Sequence, residues 1–177
     1  MAFATTADAN TAVGRQAAFC MTTGAKNVAI GHHALYKATT GEENTAVGYL
    51  ALQETTSGGA NIAVGQDTMR CNTTGGGNTA VGREALCKNT TAANNVAVGK
   101  RALYVNTTGA HNTAVGCGAM ASTTTSGENT AVGFGALGSQ TTGAANEAFG
   151  NQAVCKLTTG AKNIGLGFRA MCDCSKT

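Results

Sequence analysis

Three glycines, Gly133, Gly135 and Gly138, stand in the order G-x-G-x-x-G, the spacing of a turn that cradles a dinucleotide phosphate. Such a cradle needs a strand before it, a helix after it and an acidic ribose ligand roughly 20 residues on. The stretch that follows, "SQTTGAANEAFG", is too rich in Thr and Gly to continue as a helix. Cysteine is the next candidate chemistry. The chain has seven, and Cys155 and Cys172 lie 17 residues apart, while "CDC" at Cys172–Cys174 offers two soft ligands, too few for a closed metal site. His32 and His33 are adjacent, and His111 stands alone. No Ser–His–Asp or Cys–His grouping can be assembled from these positions, so we expect no enzyme and no cofactor. Three Asn-Thr-Thr sequons, at Asn72, Asn89 and Asn106, would stack as a row of glycans in a eukaryotic secretory setting, but a repeat of the chain accounts for them more simply.

The elements that position all of these belong to one internal repeat. Asn10, Asn27, Asn44, Asn61, Asn78, Asn95, Asn112, Asn129, Asn146 and Asn163 recur at intervals of 17 residues, each opening the unit N-x-A-V-G-x-x-A-L-x-x-x-T-T-G-x-x. With Asn as position 1, position 5 is glycine in every copy: Gly14, Gly31, Gly48, Gly65, Gly82, Gly99, Gly116, Gly133, Gly150 and Gly167. Gly135 and Gly138 fall at variable positions, so G-x-G-x-x-G is a by-product of the repeat. The same period stacks Cys155 on Cys172 at about 5 Å, within reach of a disulfide. The odd cysteine count points to mostly free thiols.

A period of 17 is too short for helical repeats and suits the coils of a β-solenoid. "NTAVG", "NVAIG" and "NIAVG" are β-compatible and end in a residue free to take positive φ, and "TTG" supplies a second turn residue. The expected fold is all-β: one domain over 1–177, a parallel β-roll of about ten rungs. Each rung carries two short strands, at positions 1–5 and 6–10. At about 4.8 Å per rung the rod is roughly 50 Å long. Positions 3, 4, 5, 8 and 9 carry no charge in any copy and are expected to be the packed columns. Identical asparagines at position 1 should bond their neighbours as an amide ladder. The Thr pair at positions 13 and 14 should form a second ladder at the rung corner.

Composition restricts function. Only 12% of residues are charged while 42% are hydrophobic, which excludes a disordered chain. The net charge of +3 comes from basic residues spread along the sequence, not from a stripe interleaved with aromatics, so no nucleic-acid partner is expected. No apolar run is long enough to insert in a membrane, and the opening "MAFATTADAN" lacks the features of a secretory signal. Export by lysis or a dedicated route, or an address carried elsewhere, would then be needed.

Successive strand residues face opposite ways, so apolar positions 3 and 4 cannot share one interior. Either a neighbouring chain covers the second face, as in a three-fold homo-oligomer, or a thin monomer bends both strands inward. Open rod ends would present unpaired backbone for end-to-end filament growth, unless the sequence is a stretch of a longer fibre.

The unit "NTAVGxxALxxxTTG", from Asn10 to about Cys174, resembles the repeats of bacteriophage tail-fibre and related virion-fibre proteins. More loosely it is similar to the head repeats of trimeric autotransporter adhesins, whose repeats are shorter. The resemblance implies a left-handed roll, usually trimeric, serving as fibre shaft or adhesive tip in an extracellular filament or virion. The expected function is therefore a structural fibre that self-associates. The alternative is a module that binds cell-surface glycan or another receptor through Tyr36, Tyr49, Tyr104 and Phe134, whose rings could stack on sugars. A Thr row on a flat face raises a third reading, ice binding, but an adjacent Thr pair gives only one outward row.

Overall fold

The computed structural model describes residues 6–172. It is all-β: ten parallel strands in one sheet, stacked in sequence order as a solenoid with one strand per 17 residues. The strands are short, β1 at Thr11–Val13, β2 at Val28–Ile30 and so on to β10 at Ile164–Leu166, and each covers positions 2–4 of its rung. Register is exact. Ala29 pairs with Ala12 and Ala46, and each neighbouring pair repeats that match.

Alternation along the strand sorts its residues cleanly. The position 3 alanines from Ala29 to Ala148 are completely buried, with side chains inside the coil. Positions 2 and 4 face outward. Positions 3 and 4 cannot share one interior, and it is position 3 that takes the inside, while Val81, Val98 and Val132 are each more than a third exposed. With position 3 inside, pleating turns its neighbours out.

The second expected strand, at positions 6–10, is a chain of tight turns. Position 8 donates back to position 5, as from Ala85 N to Gly82 O at 3.2 Å, and position 12 to position 9, as from Asn89 N to Leu86 O at 3.1 Å. Positions 7 and 9 both take positive φ. Glu84 lies at 59° and Leu86 at 49°. Position 17 does the same, as at Lys26 and Glu128. This conformation brings two consecutive side chains inside: Ala at 8 and Leu or Met at 9, from Ala34 and Leu35 to Ala153 and Val154, are all buried. Together with position 3 they form one continuous apolar column. Backbone bonds between rungs persist through the turns, as from Leu35 N to Ala51 O at 3.0 Å, which is how left-handed residues are held without a strand ladder.

Glycine at position 5 meets two demands at once. Gly116 has φ 136°, and a methyl added there would sit 2.4 Å from the carbonyl oxygen of Gly133. The glycine of "TTG" differs. At Gly143 the constraint is close approach alone, since a methyl would meet the Gly160 oxygen at 2.0 Å and the backbone there is not left-handed.

Candidate functional site

The asparagine column is an interior device. Asn95 Nδ2 donates to Asn78 Oδ1 at 3.2 Å and to Gly109 O at 2.9 Å, while its own Oδ1 accepts from Asn112 N at 2.9 Å and Asn112 Nδ2 at 3.1 Å. The side chain thus closes its own rung and ties it to both neighbours. From Asn27 to Asn163 each amide nitrogen reaches the preceding Oδ1 at 2.9 to 3.2 Å, starting from Asn10. Only a side chain with both a donor and an acceptor does this, which is why the column is Asn throughout.

A second buried column runs at position 12 and includes the three sequon asparagines, whose burial the sequence did not reveal. Asn72, Asn89 and Asn106 are fully buried, and Asn89 Nδ2 bonds Asn72 Oδ1 at 2.8 Å and Ala92 O at 3.1 Å. A glycan row on them is excluded by burial. The available signal was the column itself, Met21, Ala38, Thr55, the three asparagines, Thr123, Gln140 and Leu157, which never carries a charge.

The Thr pairs divide their work. At position 13 the hydroxyl donates to the next rung's backbone, as from Thr90 Oγ1 to Thr107 O at 3.1 Å, whereas Thr91 and its position 14 counterparts are exposed. One outward Thr row remains.

Two outer surfaces could meet other molecules. The first is the outward side of the sheet. Its columns at positions 2 and 4 hold only Thr, Val, Ile, Leu and Phe149, with Glu147 their one charge. The second is the face built by positions 6, 7, 10 and 11, where the repeat varies most. Near its start five rings stack in a strip. Phe19 lies on Tyr36 at 5.6 Å, Tyr36 against His33 at 4.5 Å, His33 against His32 at 4.0 Å, and His32 on Tyr49 at 5.3 Å. Partial burial, then His32 and Arg15, push the His33 imidazole below its ordinary value.

Further along, Arg101 is held by Glu84 and lies over the Tyr104 ring at 4.8 Å. The neighbouring guanidinium keeps the Glu84 carboxyl below the usual range. Tyr49 and Tyr104 therefore each present a ring already covered by one neighbour, and Tyr36 a ring covered by two, Phe19 and His33. Phe134 is 55% exposed and has no ring contact among the described residues.

Cys155 and Cys172 form a disulfide with their Cα atoms 4.8 Å apart, one rung above the other. Cys20, Cys71, Cys87 and Cys117 are free thiols. Cys174 lies outside the described residues, as does the start of the chain before Thr6. Among the described residues no group of three or more His, Cys, Asp or Glu side chains could hold a metal ion, and no helix is long and apolar enough to cross a membrane. His32 and His33 are brought together, and His111 sits rungs away at position 17.

The fold and its surfaces define a class, a single-sheet β-solenoid with a uniform outer face and a variable one. No protein-family model, curated protein or solved structure matches the chain.

Proposed function

We propose that the protein is a structural fibre element that self-associates side by side through the outer face of its sheet, as part of an extracellular filament or virion. The observation that carries this reading is the pair of columns at positions 2 and 4, uncharged but for Glu147 and exposed or half-buried over successive rungs. They make a strip roughly 45 Å long by 10 Å wide. Soluble monomers rarely leave a contiguous apolar strip of that length open.

A second copy is the natural occupant because it shares the rung spacing. Val81, Val98, Val115 and Val132 recur one rung apart, and another copy offers the same repeat, so side chains mesh along the whole rod. An unrelated partner would fall out of step. A three-fold bundle about a common axis satisfies this for every copy equally.

The test is the double substitution Val81→Lys and Val98→Lys. Both side chains already reach solvent, so the fold should tolerate lysine there, with unchanged circular dichroism. The expected result is dissociation to the 17.6 kDa chain in sedimentation velocity. An assembly of unchanged mass in the folded double variant overturns the proposal.

A further inference from the structure

Glu147 interrupts the outer face of the sheet. Across positions 2 and 4, from Thr11 and Val13 to Ile164 and Leu166, it is the one ionisable residue, and neither column holds a cation. In β9, Glu147–Phe149, the buried Ala148 is flanked by Glu147 and Phe149, both exposed on the outer side. Thr130 and Ile164 pair with Glu147 on the adjoining strands. The backbone does not ask for an acid here. Position 2 is threonine in five other rungs, at Thr11, Thr45, Thr79, Thr113 and Thr130, and glutamate is the poorer strand former.

Nothing in its own chain neutralises the carboxylate. The ion pairs among the described residues join Lys26 to Glu43, Lys37 to Glu54, Arg70 to Asp67, and Glu84 to Arg83 and Arg101, and all leave Glu147 out. The charged residues beside its column stand at the rung corner, at position 17: Glu128 before Asn129 and Lys162 before Asn163, with Ala145 between them. Both are exposed at the rim and opposite in sign, so their fields at the column largely cancel. Position 16 beside them is Gly127, Ala144 and Ala161. Across the position 5 turn stand Phe134, Asn151 and Phe168, with Arg169 further round on the variable face.

The consequence for a second copy rests on the self-association proposed above but not on how the copies are aligned. In a level, parallel bundle Glu147 meets the same residue of each neighbour. Shifted by one rung, it meets Thr130 or Ile164. In an antiparallel pair at full overlap it meets the rung of Val28 and Ile30. No alignment supplies a cation from the facing columns. A carboxylate that leaves water against apolar or like-charged neighbours takes up a proton rather than stay ionised.

We infer that Glu147 couples assembly through this face to proton uptake, so that copies associate more tightly in acid than at neutral pH. By linkage, the assembled state holds the Glu147 proton more strongly than the single chain does. The association is therefore fully favoured in acid and weakens as the pH rises through the carboxylate range. His32, His33 and His111 charge on acidification as well, but they stand at positions 6, 7 and 17, outside the two columns.

Sedimentation equilibrium of the full chain between pH 7 and pH 4.5, beside Glu147→Gln and Glu147→Thr, tests this. The wild-type association constant should rise at least about tenfold on acidification, as expected for uptake of about one proton per copy. At pH 7 both variants should associate at least about tenfold more tightly than the wild type, and they should lose most of its pH dependence. Every other titrating group is common to the three chains, so the difference isolates Glu147. Threonine already fills this position elsewhere in the sheet, so circular dichroism and the thermal midpoint should be unchanged. Association of Glu147→Gln at pH 7 that is equal to or weaker than the wild type, or one pH dependence shared by all three chains, overturns the inference and leaves self-association standing. Monomers in all three chains at every pH overturn both.

Discussion

Gly116 and Gly133 are stacked so closely that a methyl on the first would lie 2.4 Å from the carbonyl oxygen of the second. The same relationship runs along the rod and sets how near successive turns approach. Gly116→Ala should therefore cost more than about 3 kcal/mol, because it combines an overpacked contact with a φ of 136°. Gly118→Ala, two residues away in open space, should cost only about 1 kcal/mol, the left-handed backbone term alone. Thermal unfolding of the two variants measures the difference.

Asn95→Ala removes a side chain that makes bonds within its own rung and to both neighbours. It leaves the Gly109 carbonyl and the Asn112 amide without their partner inside the coil. Unsatisfied buried groups cost roughly 1–3 kcal/mol each, so a loss of about 3–5 kcal/mol is expected in denaturant melts. The exposed Thr91→Ala should change stability by less than about 0.5 kcal/mol.

Thiol reactivity should divide by depth. Cys87 is buried, and burial pushes its thiol up from 9.0 to about 11, whereas Cys117 is exposed. At pH 8 iodoacetamide should modify Cys117 rapidly and Cys87 only after unfolding, as read by peptide mass mapping. Because the folded value is raised, the stability that the neutral thiol contributes is complete below pH 9 and declines as the pH rises toward 11.

The stacked imidazoles give an acid signature. His33 is held below 6.5, so the folded chain resists its protonation, and the stability this contributes is present above 6.5 and lost as the pH falls below it. Imidazole NMR should show His33 titrating below 6.5, with an upward move in Arg15→Ala. Titration at or above 6.5 in the native chain would contradict this.

Much of the architecture was legible because a solenoid repeats its physics. The period, the Asn and Gly columns and the buried alanines all follow from which positions never vary or never carry charge. The turns at positions 6–10 escaped because Leu35 and Leu86 suit a strand as readily as a left-handed turn when only hydrophobicity is weighed. The signal was in the branching. Positions 7 and 17 contain no Val, Ile or Thr, and position 9 has only Val154, as expected where φ is positive. Position 4 stayed unoriented for another reason: Val47 and Val98 belong to a strand whether they face the core or the outside, so composition alone could not orient them. Gly135 was set aside with the motif it helps to spell, and Gly118 drew no reading at all.

The central claim is that this rod does not stand alone, and the most direct measurement is its mass and shape in solution, by sedimentation equilibrium with electron microscopy across a range of concentrations. The account predicts an integral multiple of 17.6 kDa, with copies lying side by side along their full length. A single 17.6 kDa rod that persists at high concentration, with its valine columns open to water, would contradict it.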